Sequence, residues 1–146
     1  MYLLDTTHCL YLMAGFQRVQ KKRESSGDSS VSTCTIVRGE LMFGAFKSKR
    51  VEENIQEVES FLNDITVYSI DEATADIYGE LKNTILVQFG PKDRNKLRNF
   101  KVESLGFKDN DLWIAAISIQ HRLILVSADN HIQRLHGINE LIVESW

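Results

Sequence analysis

Apolar residues along the chain fall into short runs and into longer stretches at helical spacing, and the two kinds alternate. Tyr2-Leu3-Leu4 is an apolar run that reads as a buried strand and ends abruptly at Asp5-Thr6-Thr7. Cys9, Leu12, Met13 and Phe16 then recur at helical spacing, which predicts a helix starting at the Thr6 and Thr7 hydroxyls. Residues 20–30 are polar and basic, then rich in Ser and Gly, and read as a helix tail followed by a surface loop. Val31-Ser32 predicts a very short strand, with Thr33 or Thr35 capping a helix that runs to about Ser48. On that helix Ile36, Glu40 and Gly44 form one stripe with Val37 and Leu41 beside it, so Glu40 falls on or next to the apolar face. Val51, Ile55, Val58 and Leu62 mark the buried stripe of a second helix ending near Asn63.

Residues 65–70 alternate like a strand, and Asp71 is placed to cap the helix after it. Ala73, Ile77, Leu81 and Ile85 mark the inner face of that helix, which stops by Gly90-Pro91. Leu112 to Ile117 is apolar nearly all round, which predicts a deeply buried helix behind Asp109-Asn110-Asp111. Leu123-Ile124-Leu125-Val126 is the clearest buried strand and leads into Ser127-Ala128-Asp129. A short helix over 130–135 and a last strand over 141–143 complete the chain. Strands alternating with helices predict an α/β fold around a mostly parallel sheet.

Composition narrows the function classes. A length of 146 residues suits one domain over 1–146, and 43% hydrophobic content supplies a core. A net charge of −3 argues against coating nucleic acid through bulk positive charge. A nuclease is still allowed, because it needs only a local basic rim around an acidic site. No apolar run reaches the roughly 20 residues that span a bilayer, and the amino terminus lacks the order of a signal peptide, so a cytoplasmic protein is expected. Cys9 and Cys34 have no metal-like spacing, and two free thiols are a simpler reading than a disulfide.

In a parallel sheet, loops after strands and the starts of returning helices meet at one edge, outside the carboxyl ends of the strands. Asp5 and Asp129 each follow a strand, Asp111 opens the helix leading into the Leu123 strand, and Glu40 lies near the start of its own helix. All four carboxylates are therefore expected at one edge. Clustered acids raise one another's pKa, a cost that a hard divalent cation removes. Mg²⁺ or Mn²⁺ suits an all-oxygen donor set, and no His/Cys cluster here suits zinc. Such a cation supports attack by water on a phosphodiester. Thr7 and Ser127 stand close enough in sequence to orient a ligand or water. Taken singly, the three aspartates read as helix caps or turn residues. It is their convergence with Glu40 that favours chemistry. His8, His121, His131 and His136 show no ligand spacing and read as structural or surface residues, Trp113 as core, and Trp146 as packing the terminus.

These residues match a known pattern. Leu4-Asp5-Thr6-Thr7, Glu40-Leu41-Met42-Phe43-Gly44, Asn110-Asp111-Leu112-Trp113-Ile114-Ala115-Ala116 and Leu125-Val126-Ser127-Ala128-Asp129 occur in order over nearly the whole chain. So does an ending from Gly137-Ile138 to Glu144-Ser145-Trp146. The chain thereby resembles the PIN-domain ribonucleases, particularly the VapC-type toxins of type II toxin–antitoxin pairs. The resemblance implies a three-layer α/β/α domain and an endoribonuclease dependent on Mg²⁺ or Mn²⁺, with Asp5, Glu40, Asp111 and Asp129 as its catalytic and metal-holding acids. It also implies RNA as substrate, a small antitoxin as partner, and a homodimer. Thr7 stands where the family usually has Asn, and Ile132 where an aromatic is common. The segment from about Gly90 to Lys108 is longer than usual and basic, above all from Lys92 to Lys101, and Arg94, Lys96 and Arg98 are expected to contact RNA or the antitoxin.

Two other classes compete. A phosphatase of the haloacid-dehalogenase type also places an Asp after its first strand, but it wants a second Asp where this chain has Thr7. A non-catalytic PIN-like binding domain has no need of all four acids.

Overall fold

The structure, a computed structural model, describes residues 1–27 and 31–146, without the side chain of Arg94. Five parallel strands form one sheet in the order β3-β2-β1-β4-β5. They are β1 (Tyr2–Leu4), β2 (Val31–Cys34), β3 (Thr66–Tyr68), β4 (Ile124–Val126) and β5 (Ile142–Glu144). Strand β1 takes the centre, with Leu3 opposite Ser32 of β2 and Leu125 of β4. A central parallel strand is covered on both faces. Leu3, Leu4 and Leu125 are accordingly fully buried.

Helices fill both faces, giving the three layers expected. The described residues hold α1 (Thr6–Met13), α2 (Gln17–Ser26), α3 (Thr35–Phe46), α4 (Val51–Asn63), α5 (Glu72–Phe89), α6 (Arg94–Arg98), α7 (Asp109–Gln120) and α8 (Asn130–Gln133). Helix α1 packs on α3 and α3 on α4, while α5 packs on α7. The apolar run in α7 is as deeply placed as its sequence requires, with Ile114, Ala115, Ala116 and Ile117 all buried. Asp71 caps α5 through a reciprocal box with Thr74, and Gln120 at the end of α7 donates to the same carboxylate at 2.9 Å. That bond ties the start of one helix to the end of its neighbour.

Several local expectations are corrected. The first helix is capped by the Asp5 carboxylate, not by the hydroxyls of Thr6 or Thr7. Gly15, at φ +74°, breaks the chain there, so the expected helix tail is a separate helix, α2. Positions 28–30 of the expected surface loop lie outside the described residues. Neither Thr33 nor Thr35 caps α3: Cys34 occupies that position without a side-chain bond, and the Thr33 hydroxyl donates instead to the Leu4 carbonyl at 3.0 Å. The inner face of α5 begins at Thr74, because Ala73 is exposed. Strand β3 is shorter than the 65–70 expected, and the 130–135 helix ends at Gln133. Trp113 is only half-buried and stacks on Tyr78 with ring centroids 3.8 Å apart.

Cys9 and Cys34 are free and buried, as the simpler reading had it. Burial, well ahead of other causes, pushes the Cys9 thiol up to about 12, which leaves it inert as a nucleophile. No helix among the described residues is long and apolar enough to cross a membrane.

Candidate active site

The order of strands reverses between β1 and β4, and the crevice outside their carboxyl ends is where an open α/β sheet takes a ligand. Asp5 leaves β1 at this point, with its backbone N–H donating to the Val126 carbonyl of β4 at 3.1 Å. One residue past Val126, Ser127 is fully buried, and its Oγ accepts from the backbone N–H of Asp129 at 3.2 Å. Asp129 in turn caps α8 by accepting from the His131 N–H. Helices α3 and α7 both begin at this edge, bringing Glu40 and Asp111 to it.

Each acid is held differently. Asp5 is 8% exposed, and its Oδ1 accepts from both the backbone N–H and the Nδ1 of His8, each at 2.8 Å. Both oxygens of Glu40 are occupied: Asn110 Nδ2 donates to Oε1 at 2.7 Å, and the Thr6 hydroxyl donates to Oε2. Glu40 is half-buried on the stripe beside the inner face of α3, whose buried members are Val37, Leu41 and Ala45, while Gly44 on its own stripe is exposed. Asp111, in the first turn of α7, is half-buried.

Asp111 also reports on the others. Burial first, then the charges of Asp129, Glu40 and Asp5, push its carboxyl up to about 6 against the counter-pull of Lys108. All three remaining acids thus act on Asp111 at once. Its neighbour Asp109 behaves oppositely: the Tyr78 hydroxyl, helped by Lys82, holds its carboxyl below the usual range. Two aspartates in one helical turn are sorted by their partners, and only Asp111 belongs to the acidic group.

The donor set fits a hard divalent cation: four carboxylates, three of which bear on Asp111 by their charge, with one lysine near it. Among the described residues no three acidic, His or Cys side chains stand close enough to surround one ion. Mg²⁺ in general keeps several waters and takes only one or two carboxylates directly.

The supporting assignments fare unevenly. Ser127 lies within the site, as a brace for Asp129. Thr7 is exposed, and its hydroxyl makes no hydrogen bond among the described residues. Lys96 and Arg98 are exposed on α6, and the Arg94 side chain lies outside the described residues. Thr6, His8 and Asn110 each bond a site carboxylate and were not expected to. Thr6 and Asn110 carried a signal, since each directly adjoins one of the four acids in sequence. His8 carried only helical phase, three positions after Asp5.

Comparison with known proteins finds relatives over nearly the whole chain. The chain is 29% identical to a protein of Rickettsia felis named Ribonuclease VapC2 over 99% of its own length and 97% of that protein's. It is equally 29% identical to a Ribonuclease VapC2 of Haemophilus influenzae, with the same coverage. In structure it resembles a chain of the Rickettsia felis VapBC2 complex bound to a promoter DNA fragment, with a TM-score of 0.78 and 27% identity over 99% of this chain and 98% of that one. The PIN domain family profile matches residues 2–138, and the chain belongs to that family.

Proposed function

We propose that residues 1–146 form a divalent-metal-dependent endoribonuclease that acts as the toxin of a toxin–antitoxin pair in the cytoplasm. The observation that carries this reading is the coupling of Asp111 to Asp5, Glu40 and Asp129 at the switch point of the sheet. It is supported by relatives named ribonucleases over their full length. Asp5, Glu40, Asp111 and Asp129 would hold Mg²⁺ or Mn²⁺. When bound, that ion supplies neutralisation of the phosphate charge and a lowered pKa for an attacking water. The chain's own part is placement. Thr6 and Asn110 fix the Glu40 carboxylate, and Ser127 fixes the backbone from which Asp129 projects.

Thr7 is also the position that disfavours the phosphatase reading, since that chemistry wants an acid there. A cleft of about 250 Å³ beside Glu40, lined by Thr6, Leu10, Met13, Gly44 and Val58, opens next to the exposed Leu10. The cleft's lining also includes Leu41 and Ala45 of α3. This surface suits an apolar antitoxin segment, and the similar solved structure from Rickettsia felis is of a VapBC2 complex bound to promoter DNA. We infer a homodimer as the toxin's own assembly.

The test is cleavage of total RNA with Mg²⁺ or Mn²⁺, then with a chelator, alongside Asp5→Asn. Cleavage is expected only with metal and with Asp5 intact. Cleavage that survives chelation or the substitution overturns the mechanism. The basic helix α6 offers a second measurement. It is the start of the chain's approach to Asp111, and we assign Lys96, Arg98 and Arg94 to RNA phosphates. Replacing all three with Ala is expected to weaken RNA binding and to flatten its salt dependence by about one unit of slope per lost phosphate contact. Equal affinity and equal slope would remove the segment from the RNA path.

A further inference from the structure

His8 is fully buried in the first turn of α1, an unusual place for an imidazole. Its two ring nitrogens differ sharply in their surroundings. Nδ1 lies 2.8 Å from Asp5 Oδ1, whereas the buried Nε2 has no hydrogen-bond partner among the described residues. A carboxylate only accepts, and a proton on Nε2 would be a buried donor without an acceptor. The ring proton therefore belongs on Nδ1, donating to Oδ1. The backbone N–H of His8 donates to the same oxygen, as any residue at this capping position would do. Only the ring bond is particular to histidine.

From this geometry we propose that His8 is a positioning residue for the metal site, its Nδ1–H clamping the Asp5 carboxylate so that Oδ2 is kept for the cation. The inference rests on the reading of Asp5 as a metal ligand. The torsion that turns a carboxylate is broad and two-fold, so a single capping bond leaves the group free to rock. Two donors on one oxygen fix both the plane of the carboxylate and the choice of oxygen. Oδ2 accepts nothing from the described residues. The helix cap and the cation site thus use different oxygens of one side chain, and His8 enforces the division. Edge-on contact between the His8 and Tyr11 rings, with centroids 5.8 Å apart, holds the imidazole in place from the other side.

The experiment measures Mn²⁺ binding to the RNA-free protein by calorimetry for wild type, His8→Leu, His8→Asn and Asp5→Asn. Leu fills the space without a donor, while the Asn side-chain N–H falls where Nδ1–H was. His8→Leu is expected to bind Mn²⁺ about 10-fold more weakly, the lower end of what losing such a supporting bond costs. His8→Asn is expected to recover most of that loss. Nitrogen NMR of the wild-type imidazole needs no variant to fold, and is expected to find the proton on Nδ1. Wild-type affinity in His8→Leu, equal weakness in both His8 variants, or a proton on Nε2 would each overturn the proposal. If instead the wild type binds no Mn²⁺, or Asp5→Asn binds it undiminished, the metal-site reading itself fails, and the role of His8 with it.

Discussion

Asp111→Asn is expected to do two opposite things: to lower RNA cleavage by about 100-fold or more, and to make the metal-free protein more stable above pH 6. The first follows from removing a carboxylate on which burial and three other acids converge. The second follows from the direction of its shift. In the unfolded chain this carboxyl loses its proton near its ordinary value of 3.8, but in the folded protein it keeps it up to about 6. The folded state thus binds more protons than the unfolded one between those values, and stability falls as pH rises through that window. Above it the ionised carboxylate opposes folding by a constant amount. After discounting for solvent screening of a half-buried group, that amount is about 1 kcal/mol. Asparagine cannot ionise, so the variant is expected to melt roughly 2–5 °C higher than wild type at pH 8 without metal. Near pH 4 the difference should vanish. Mg²⁺ should close the gap at pH 8 by stabilising the wild type alone. Identical melting at pH 4 and pH 8 would show that Asp111 is not under the charge of its neighbours.

Phe107→Ala is expected to cost about 3–5 kcal/mol of stability, the largest loss anticipated from any single truncation considered. Phe107 is 1% exposed and heads the fully buried side chains by volume. Its ring meets Phe89 at 6.0 Å and the edge of His131 at 6.1 Å. The Arg134 guanidinium lies over both the Phe89 and Phe107 rings, 4.8 and 4.9 Å from their centroids, and donates to the Leu105 carbonyl at 3.2 Å. One aromatic ring therefore joins the end of α5, the basic segment and the start of α8. The preceding Gly106, at φ +91°, brings the backbone so close to His131 that a Cβ would stand 2.3 Å from its Cε1. With no room for the segment to collapse inward there, the cavity left by Ala should persist. Urea unfolding is the measurement, with a lower midpoint and an unchanged slope expected. A loss below about 1 kcal/mol would mean that the segment is not anchored through this ring.

The elements legible in the sequence were those whose burial is uniform or whose caps are unambiguous. Helix α4 ends at Asn63 as its stripe of Val58 and Leu62 requires, and α5 starts at the Asp71–Thr74 box. Strand β4 was legible because a strand covered on both faces is apolar throughout. What misled were hydroxyls. Thr6, Thr7, Thr33 and Thr35 all look like caps, yet Thr6 turns to Glu40 and Thr33 to Leu4, both partners distant in sequence. A hydroxyl's choice between a local N–H and a distant acceptor is made by tertiary packing, and spacing does not encode it. The break at Gly15 is hidden in the sequence because Leu12, Met13 and Phe16 keep helical spacing across it.

The four acids divide the same way. Their place at one edge of a parallel sheet followed from the sequence, because connectivity alone fixes which ends of strands and helices meet. The choice of Asp111 over Asp109 was already made in the sequence, although both lie in the first turn of α7. What only the structure adds is that Tyr78 and Lys82, which come from α5, bond the Asp109 carboxylate. Asp5 shows both halves in a single residue. The sequence by itself determined that an acid ends the central strand and begins a helix. Only the tertiary structure decided that its cap uses one oxygen, that His8 bonds the same oxygen from within the core, and that the other accepts nothing from the described residues. A chain fixes where a carboxylate emerges, while the side chains packed around it fix which of its lone pairs remain.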